Sequence, residues 1–220
     1  GGAASNDVKC AQKCVEFLEQ KYNIMIHHHI VDIQNMKQVL ENVPNIVQIL
    51  ETYDKTTIRN ASINYWLFKY IRENTNVKVL LSGVGLDNIC GHPLLFQLND
   101  EQFQEQSIKL IENMSKFELV SEKLSTYFGL EIRYPFLDTG VLEYLLSIHP
   151  KLKRPQKYNI QQTSIEKYII RKAFDTETPY LLKDVLWRTK DEIANTFSEF
   201  LPSLSAYCNE KVTTRPAINT

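Results

Sequence analysis

The junction from Val77 to His92, VKVLLSGVGLDNICGH, constrains the fold of this 220-residue chain more tightly than any other stretch. Val77 to Leu81 form a compact apolar run of the kind that parallel sheets bury on both faces, and Ser82, Gly83, Val84 and Gly85 then break it. Upstream, the apolar period alternates. Val8, Ala11, Cys14, Val15 and Leu18 fall on one helical stripe, which predicts a helix from Asp7, as its N-cap, to Tyr22. IMIHHHIVDI then reads as a strand, in which His27, His28 and His29 point to alternate faces and make poor chelating geometry. Helical turns interrupted by Pro44 follow. The next helix, after Asp54, carries Ile63, Trp66, Leu67 and Tyr70 on its expected buried side. Helix, strand, helix, strand is the α/β pattern, with right-handed crossovers.

From Asn99 onward only helical signals occur, in DEQFQEQSIKLIENM, FELVSEKLSTYF, VLEYLLSI, IEKYIIRKAF and DEIANTFSEFL, and HPKLKRPQKYNIQQT is the expected loop. The expected organisation is therefore an α/β portion over 1–98 and a helical remainder over 99–220. With 43% hydrophobic residues the chain can bury a core. Lys and Arg number 25 against 26 Asp and Glu, a net charge of -1 with no long block of one sign, so no nucleic-acid or membrane-surface footprint is expected. No apolar stretch reaches the length of a membrane span, and no basic-then-apolar signal opens the chain. A soluble, cytoplasmic protein is the expectation. Cys10, Cys14, Cys90 and Cys208 show neither a CxxC pair nor zinc-site spacing, which predicts reduced, mostly packed thiols.

Four segments carry residues suited to chemistry. Ser82, Gly83 and Gly85 follow a strand, the place where open parallel sheets take ligands and where glycine lets the backbone approach them. No Lys-Ser/Thr pair follows, so this is not a Walker loop, and taken alone the junction reads first as a tight turn. In LETYDKTTIRNAS, Asp54 can cap a helix whose first turn holds Thr56, Thr57 and Arg59. Hydroxyls, free N–H groups and a guanidinium suit an anion, although the same residues make an ordinary helix start with a solvent-facing Arg. In GLEIRYPFLDTGVLEYLLSI, Glu131 and Arg133 read as an ion pair at a corner, and Asp138 as the cap of the next helix. In DVLWRTKDEIANTF, Trp187 is expected to anchor the segment in the core beside Arg188 and Lys190. A solvated pair of cations is the default there, but a lysine held by a packed neighbour can reach a phosphate.

Together and in this order, these segments resemble the synthetase domain of class B, glutamine-dependent asparagine synthetases. LETYDKTTIR is similar to that family's LETYDxTTIR, VLLSGVGLDNICG to VLSGEGSDExFGG and GLEIRYPFLD to GLExRVPFLD. EKYIIRKAF is similar to EKxxLRxAF, LWRTKDEIANTF to LWRxKExFSDG, and DVKCAQKCVEFL to the helix after the domain's second strand. The resemblance implies part of a parallel-sheet, adenine-nucleotide-hydrolase-like (ATP-pyrophosphatase) α/β domain followed by a mainly helical region. It also implies activation of aspartate's side-chain carboxylate by ATP and magnesium, giving β-aspartyl-AMP and pyrophosphate, with AMP then displaced by ammonia. That ammonia comes from glutamine through a glutaminase domain of the parent protein. By the same resemblance Ser82 and Gly83 meet the nucleotide, Asp87 holds the magnesium pyrophosphate, and Lys190 contacts a phosphate. Thr56, Thr57 and Arg59 match the group thought to stabilise the activation step. Adenylation builds charge on the departing pyrophosphate, which fixed cations, amides and metal ions stabilise.

The pattern departs from the family at definite places. The pyrophosphate loop SGGxDS does not occur in the 220 residues, and GGAAS at the start, lacking the acidic residue, reads as a cloning remnant or the frayed end of a strand. The glutaminase cysteine and its domain are likewise absent from this sequence. Within the retained turn, Val84 and Asn88 replace two family glutamates, Leu86 a serine and His92 a glycine, while IANTF replaces the terminal Ser-Asp-Gly. Val in place of a carboxylate removes charge and hydrogen-bond acceptors. The expectation is a synthetase half that does not make asparagine by itself. The alternatives are a degenerate domain that serves as a nucleotide-binding or interaction module, or an amide synthetase for another carboxylate.

Overall fold

The protein is described from a computed structural model, which covers residues 6–33, 35–90, 92–117, 119, 121–158, 165–188 and 200–213. Helix α1 (Asn6–Tyr22) lies close to its expected bounds, but Asp7 sits inside its first turn rather than capping it. There it accepts a hydrogen bond from Arg188 at 2.5 Å. Helices α2 (Met36–Glu41) and α3 (Val43–Leu50) break where Pro44 occupies the first turn of α3, the one place in a helix where its missing N–H costs nothing. Helix α4 (Lys55–Asn74) starts at Asp54, whose carboxylate accepts the Thr57 N–H at 2.7 Å.

The chain is mixed α/β, mostly helical, with a small parallel sheet. Strand β1 (Val79–Leu81) pairs with β2 (Glu131–Arg133) in the register Val79↔Glu131, Leu80↔Ile132 and Leu81↔Arg133. Between them run α5 (Leu86–Cys90), a 3-10 turn at Pro93–Leu95, α6 (Asp100–Phe117) and α7 (Ser121–Tyr127). After β2 and a second 3-10 turn come α8 (Thr139–Ser147), α9 (Pro150–Lys153) and α10 (Tyr168–Phe174), with a third 3-10 turn at Pro155–Tyr158 between the last two. The last described elements are α11 (Lys183–Leu186) and α12 (Phe200–Thr213). Asp138 caps α8 through the N–H groups of Gly140 and Val141, as its position before VLEYLLSI predicts.

Several expectations fail for identifiable reasons. IMIHHHIVDI joins no ladder; Met25 is 77% exposed, and the Ile26 N–H turns back to the Glu19 carboxylate at 2.8 Å. A strand exists only by virtue of a partner, and the described two-stranded sheet supplies none here. The expected burial of β1 on both faces also fails: Leu80 enters the core, whereas Val79 and Leu81 face outward. On α4 the buried stripe is Thr57, Ile58, Ala61, Ser62, Tyr65 and Phe68, not the face of Leu67 and Tyr70. Small residues let α4 approach α3 and α7, and the Ser62 hydroxyl donates to Ile58 O within the helix, so its burial is satisfied. Ile63 and Trp66 pack at the edge of this core. The region beyond Asn99 is not purely helical, because β2 lies in it. The expected loop from His149 contains α9 and the 3-10 turn at Pro155–Tyr158, with Lys153 and Arg154 buried. Trp187 is half-buried against Tyr168, at 5.9 Å between rings, and Leu186 is the buried anchor.

Among the described residues three apolar clusters form the core. Val39, Leu40, Val43 and Ile58 meet Leu204 of α12. Ile46, Leu50, Tyr65, Phe68, Leu124 and Leu130 lie under the sheet. Leu86, Ile89, Cys90 and Leu145 join α5 to α8. Among the described residues no helix is long and apolar enough to cross a membrane.

Candidate functional site

The turn after β1 is built by the parallel pairing. The Ser82 N–H donates to Arg133 O at 2.9 Å, which extends the ladder one residue past β1. The chain then leaves the sheet, and the Val84 N–H donates to the Ser82 hydroxyl at 3.3 Å. Gly83 is exposed, and a β-carbon placed on it would meet no atom within 4 Å, so its backbone is open to close approach. Gly85 has the opposite surroundings. Its φ is +96°, and a β-carbon there would overlap Leu137 Cδ2. Only glycine fits both the conformation and the space.

Leu86, Ile89 and Cys90 pin the short α5 to the core, leaving Asp87 half-buried on its outer side. Lys167 approaches the Asp87 carboxylate at 3.1 Å. It does so from a left-handed conformation, φ +58°, at the start of α10. Sequence reasoning gives this partner no role within EKYIIRKAF; a basic residue next to Glu166 is its only mark. Arg171, one turn on, donates to the carbonyls of Glu166 at 2.8 Å and Arg188 at 3.0 Å, and burial lowers its pKa. Lys167, Arg171 and Arg188 line a cavity of about 540 Å³ together with Phe174, Tyr180 and Leu186.

The second cluster is the start of α4. Thr56 is exposed, and Arg59 is half-buried with its Nε donating to Asn60 at 3.4 Å. Thr57 is buried, at 4% exposure, and turned toward Asp54. Its hydroxyl and then its N–H hold the Asp54 carboxyl below the usual carboxylate range. The structure therefore gives Thr57 a capping role, with Thr56 and Arg59 facing outward. The two clusters are seated on different parts of the core, α4 over the first two and α5 over the third. Glu131 and Arg133 do pair, at 2.6 Å, because alternate residues of β2 share a face. Both are more than half exposed, which makes the pair a weak tether. Lys190 lies outside the described residues. Among those described, no three His, Cys, Asp or Glu side chains converge on a metal position.

The family model described as asparagine synthase matches residues 2–120 and 97–217, nearly the whole chain. The chain belongs to the asparagine synthase family. It is 34% identical over 201 residues to a probable glutamine-hydrolysing asparagine synthetase of Acanthamoeba polyphaga mimivirus, covering 90% of this chain and 34% of that protein. A probable glutamine-hydrolysing asparagine synthetase of Schizosaccharomyces pombe is 36% identical over 203 residues, covering 89% and 34%. The glutamine-hydrolysing asparagine synthetase of Triphysaria versicolor aligns over 100% of the chain and 36% of its own length, at 30% identity. The chain thus spans about a third of the length of these curated relatives.

Proposed function

We propose that this chain carries part of the synthetase site of an asparagine synthase, in which aspartate is adenylated by ATP and the adenylate is amidated by ammonia. The observation that carries the reading is the Ser82–Asp87 turn: an open glycine and a half-exposed carboxylate at the carboxyl end of a parallel strand, within a family-matched segment. In it, 1–98 supplies the nucleotide-side half and 99–220 the helical remainder of one domain. Ser82 and Gly83 take the nucleotide through hydroxyl and backbone, and Asp87 takes magnesium. The donor set fits such a group, since magnesium held between phosphates keeps several waters and requires only one or two carboxylates. Bound there, it would neutralise charge on the departing pyrophosphate. Thr56, Arg59 and Lys190 supply further donors to that charge, and Thr57 fixes the helix start that presents Thr56 and Arg59. Ammonia from glutamine and the glutaminase domain belong to a longer protein, and the free thiols are in keeping with a cytoplasmic setting.

The 220 residues contain no SGGxDS loop, so they are expected to release no pyrophosphate from ATP when aspartate is added. A clear aspartate-dependent release would overturn that part of the proposal. In an active longer protein, Arg59→Ala and Lys190→Ala each lower the adenylation rate about tenfold or more, and unchanged rates in both would remove them from the mechanism.

One observation favours a second reading, a nucleotide-binding module without turnover. Asn88 is 3% exposed and Leu86 7%, so two of the four altered positions of the turn serve the core, while Val84 and His92 are partly exposed. Saturable binding of magnesium ATP by the longer protein, with no aspartate turnover, would select this reading. Turnover of a different carboxylate in a substrate panel would instead make it an amide synthetase of other specificity.

A further inference from the structure

Arg154 is the largest side chain with no exposure among the described residues, in a segment whose composition reads as a solvated loop. A buried guanidinium is costly unless most of its N–H groups are matched. Here Nη1 donates to three carbonyls of one short segment, Leu95 O at 3.4 Å, Phe96 O at 3.3 Å and Leu98 O at 2.5 Å, and Nη2 donates to Asp100, while the buried Nε has no partner among the described residues. The guanidinium carbon lies 4.1 Å from the Phe103 ring centroid. These contacts fasten the end of α9 to the approach and first turn of α6. Helix α9 in turn packs on α6 and α10, and α10 packs on α5.

Lys167 meets Asp87 at the other end of this arrangement. Its left-handed backbone has no side-chain cap; Arg171 ties α10 to Glu166 O and to the end of α11 through Leu186 O and Arg188 O, and Ile169 and Ile170 pack on the cluster of α5 and α8. None of these contacts reaches α6; α10 is placed relative to α6 through α9, which packs on both. We infer that Arg154 is a positioning residue for Asp87: by fastening α9 to the start of α6 it sets the origin of α10, and so holds Lys167 at the Asp87 carboxylate. The value of that carboxylate to pyrophosphate rests on the function proposed above, whereas the coupling of the two fasteners does not.

The test is a pair of double-mutant cycles on urea unfolding of the 220-residue chain, using Asp87→Asn and Lys167→Met with Arg154 intact and with Arg154→Met. With Arg154 intact, the two groups are coupled about two- to fivefold in the unfolding equilibrium constant. With Arg154→Met that coupling falls to unity, while the coupling of the exposed Glu105–Lys109 pair on α6 is unchanged. Should Arg154→Met not fold, Arg154→Lys serves, because an ammonium cannot reproduce the fork onto Leu98 O and Asp100. Coupling that survives in the Arg154 variant, or that falls equally in both pairs, overturns the inference. Titration with magnesium pyrophosphate separates it from the functional reading. Lost coupling in a chain that binds no pyrophosphate keeps the positioning role and removes the assigned ligand; weakened binding in the Arg154 variant supports both.

Discussion

Gly85 is where a single atom decides most. A methyl group there must share space with Leu137 and hold φ near +96°, so Gly85→Ala is expected to destabilise by about 1–3 kcal/mol, read as a lower urea midpoint at unchanged slope. A comparable substitution at Gly83, which meets nothing, should cost far less. Cys90 and Cys208 form a second contrast. Burial pushes the Cys90 thiol up to about 11, and the side chain is inaccessible, whereas Cys208 is exposed. Iodoacetamide at about pH 8 should label Cys208 in the native protein and Cys90 only on unfolding, checked by peptide mass spectrometry. Of these residues the sequence shows Gly85 as a turn residue, but the Leu137 contact that makes it irreplaceable comes from a segment far along the chain.

At the scale of elements, caps and breakers are the legible part. Asp54, Asp138 and Pro44 each mark a boundary through chemistry local to a few residues, and each boundary falls where that chemistry puts it. Asp54→Ala is expected to cost about 1 kcal/mol of stability, measured by thermal or urea unfolding. The Asp54 carboxyl is held low by Thr57, and that of Asp100 by the Tyr158 hydroxyl, with Arg154 adding to it. A lowered folded pKa contributes stability that is fully present above the ordinary carboxyl value and lost as pH falls through the lowered one. Melting temperature should therefore be insensitive to these two groups between about pH 7 and 5 and fall below about pH 4, and Asp100→Asn should remove its share of that fall. Less legible are elements defined by something distant. EIR is three residues long and becomes a strand only because VLL lies beside it, while IMIHHHIVDI joins no ladder among the described residues. Lys153 and Arg154 read as solvent-facing because charge usually is, yet both are buried, and for Arg154 the carbonyls of Leu95, Phe96 and Leu98, the Asp100 carboxylate and the Phe103 ring reverse that.

At the scale of the whole molecule, the parallel pairing of β1 with β2 joins the early and late parts of the chain across α5, α6 and α7. Leu124 of α7 has no exposure and sits in the cluster shared with α3, α4 and the sheet. Leu124→Ala is expected to cost about 2–5 kcal/mol and to lower stability in both parts together, seen as one shifted transition by circular dichroism and tryptophan fluorescence. The family order of segments made the general α/β character and the candidate residues legible. Which faces those segments bury was not, since that depends on how helices far apart in sequence meet.

The outward face of β1 has a consequence for handling the protein. Val77, Val79 and Leu81 are 44%, 41% and 75% exposed, forming a short apolar ribbon on the described surface. Exposed strands of this kind are templates for chains that have not finished folding. Refolding yield should therefore depend on dilution more than on final stability, and Leu81→Lys, placed where the side chain already faces water, should raise the concentration at which the protein stays monomeric.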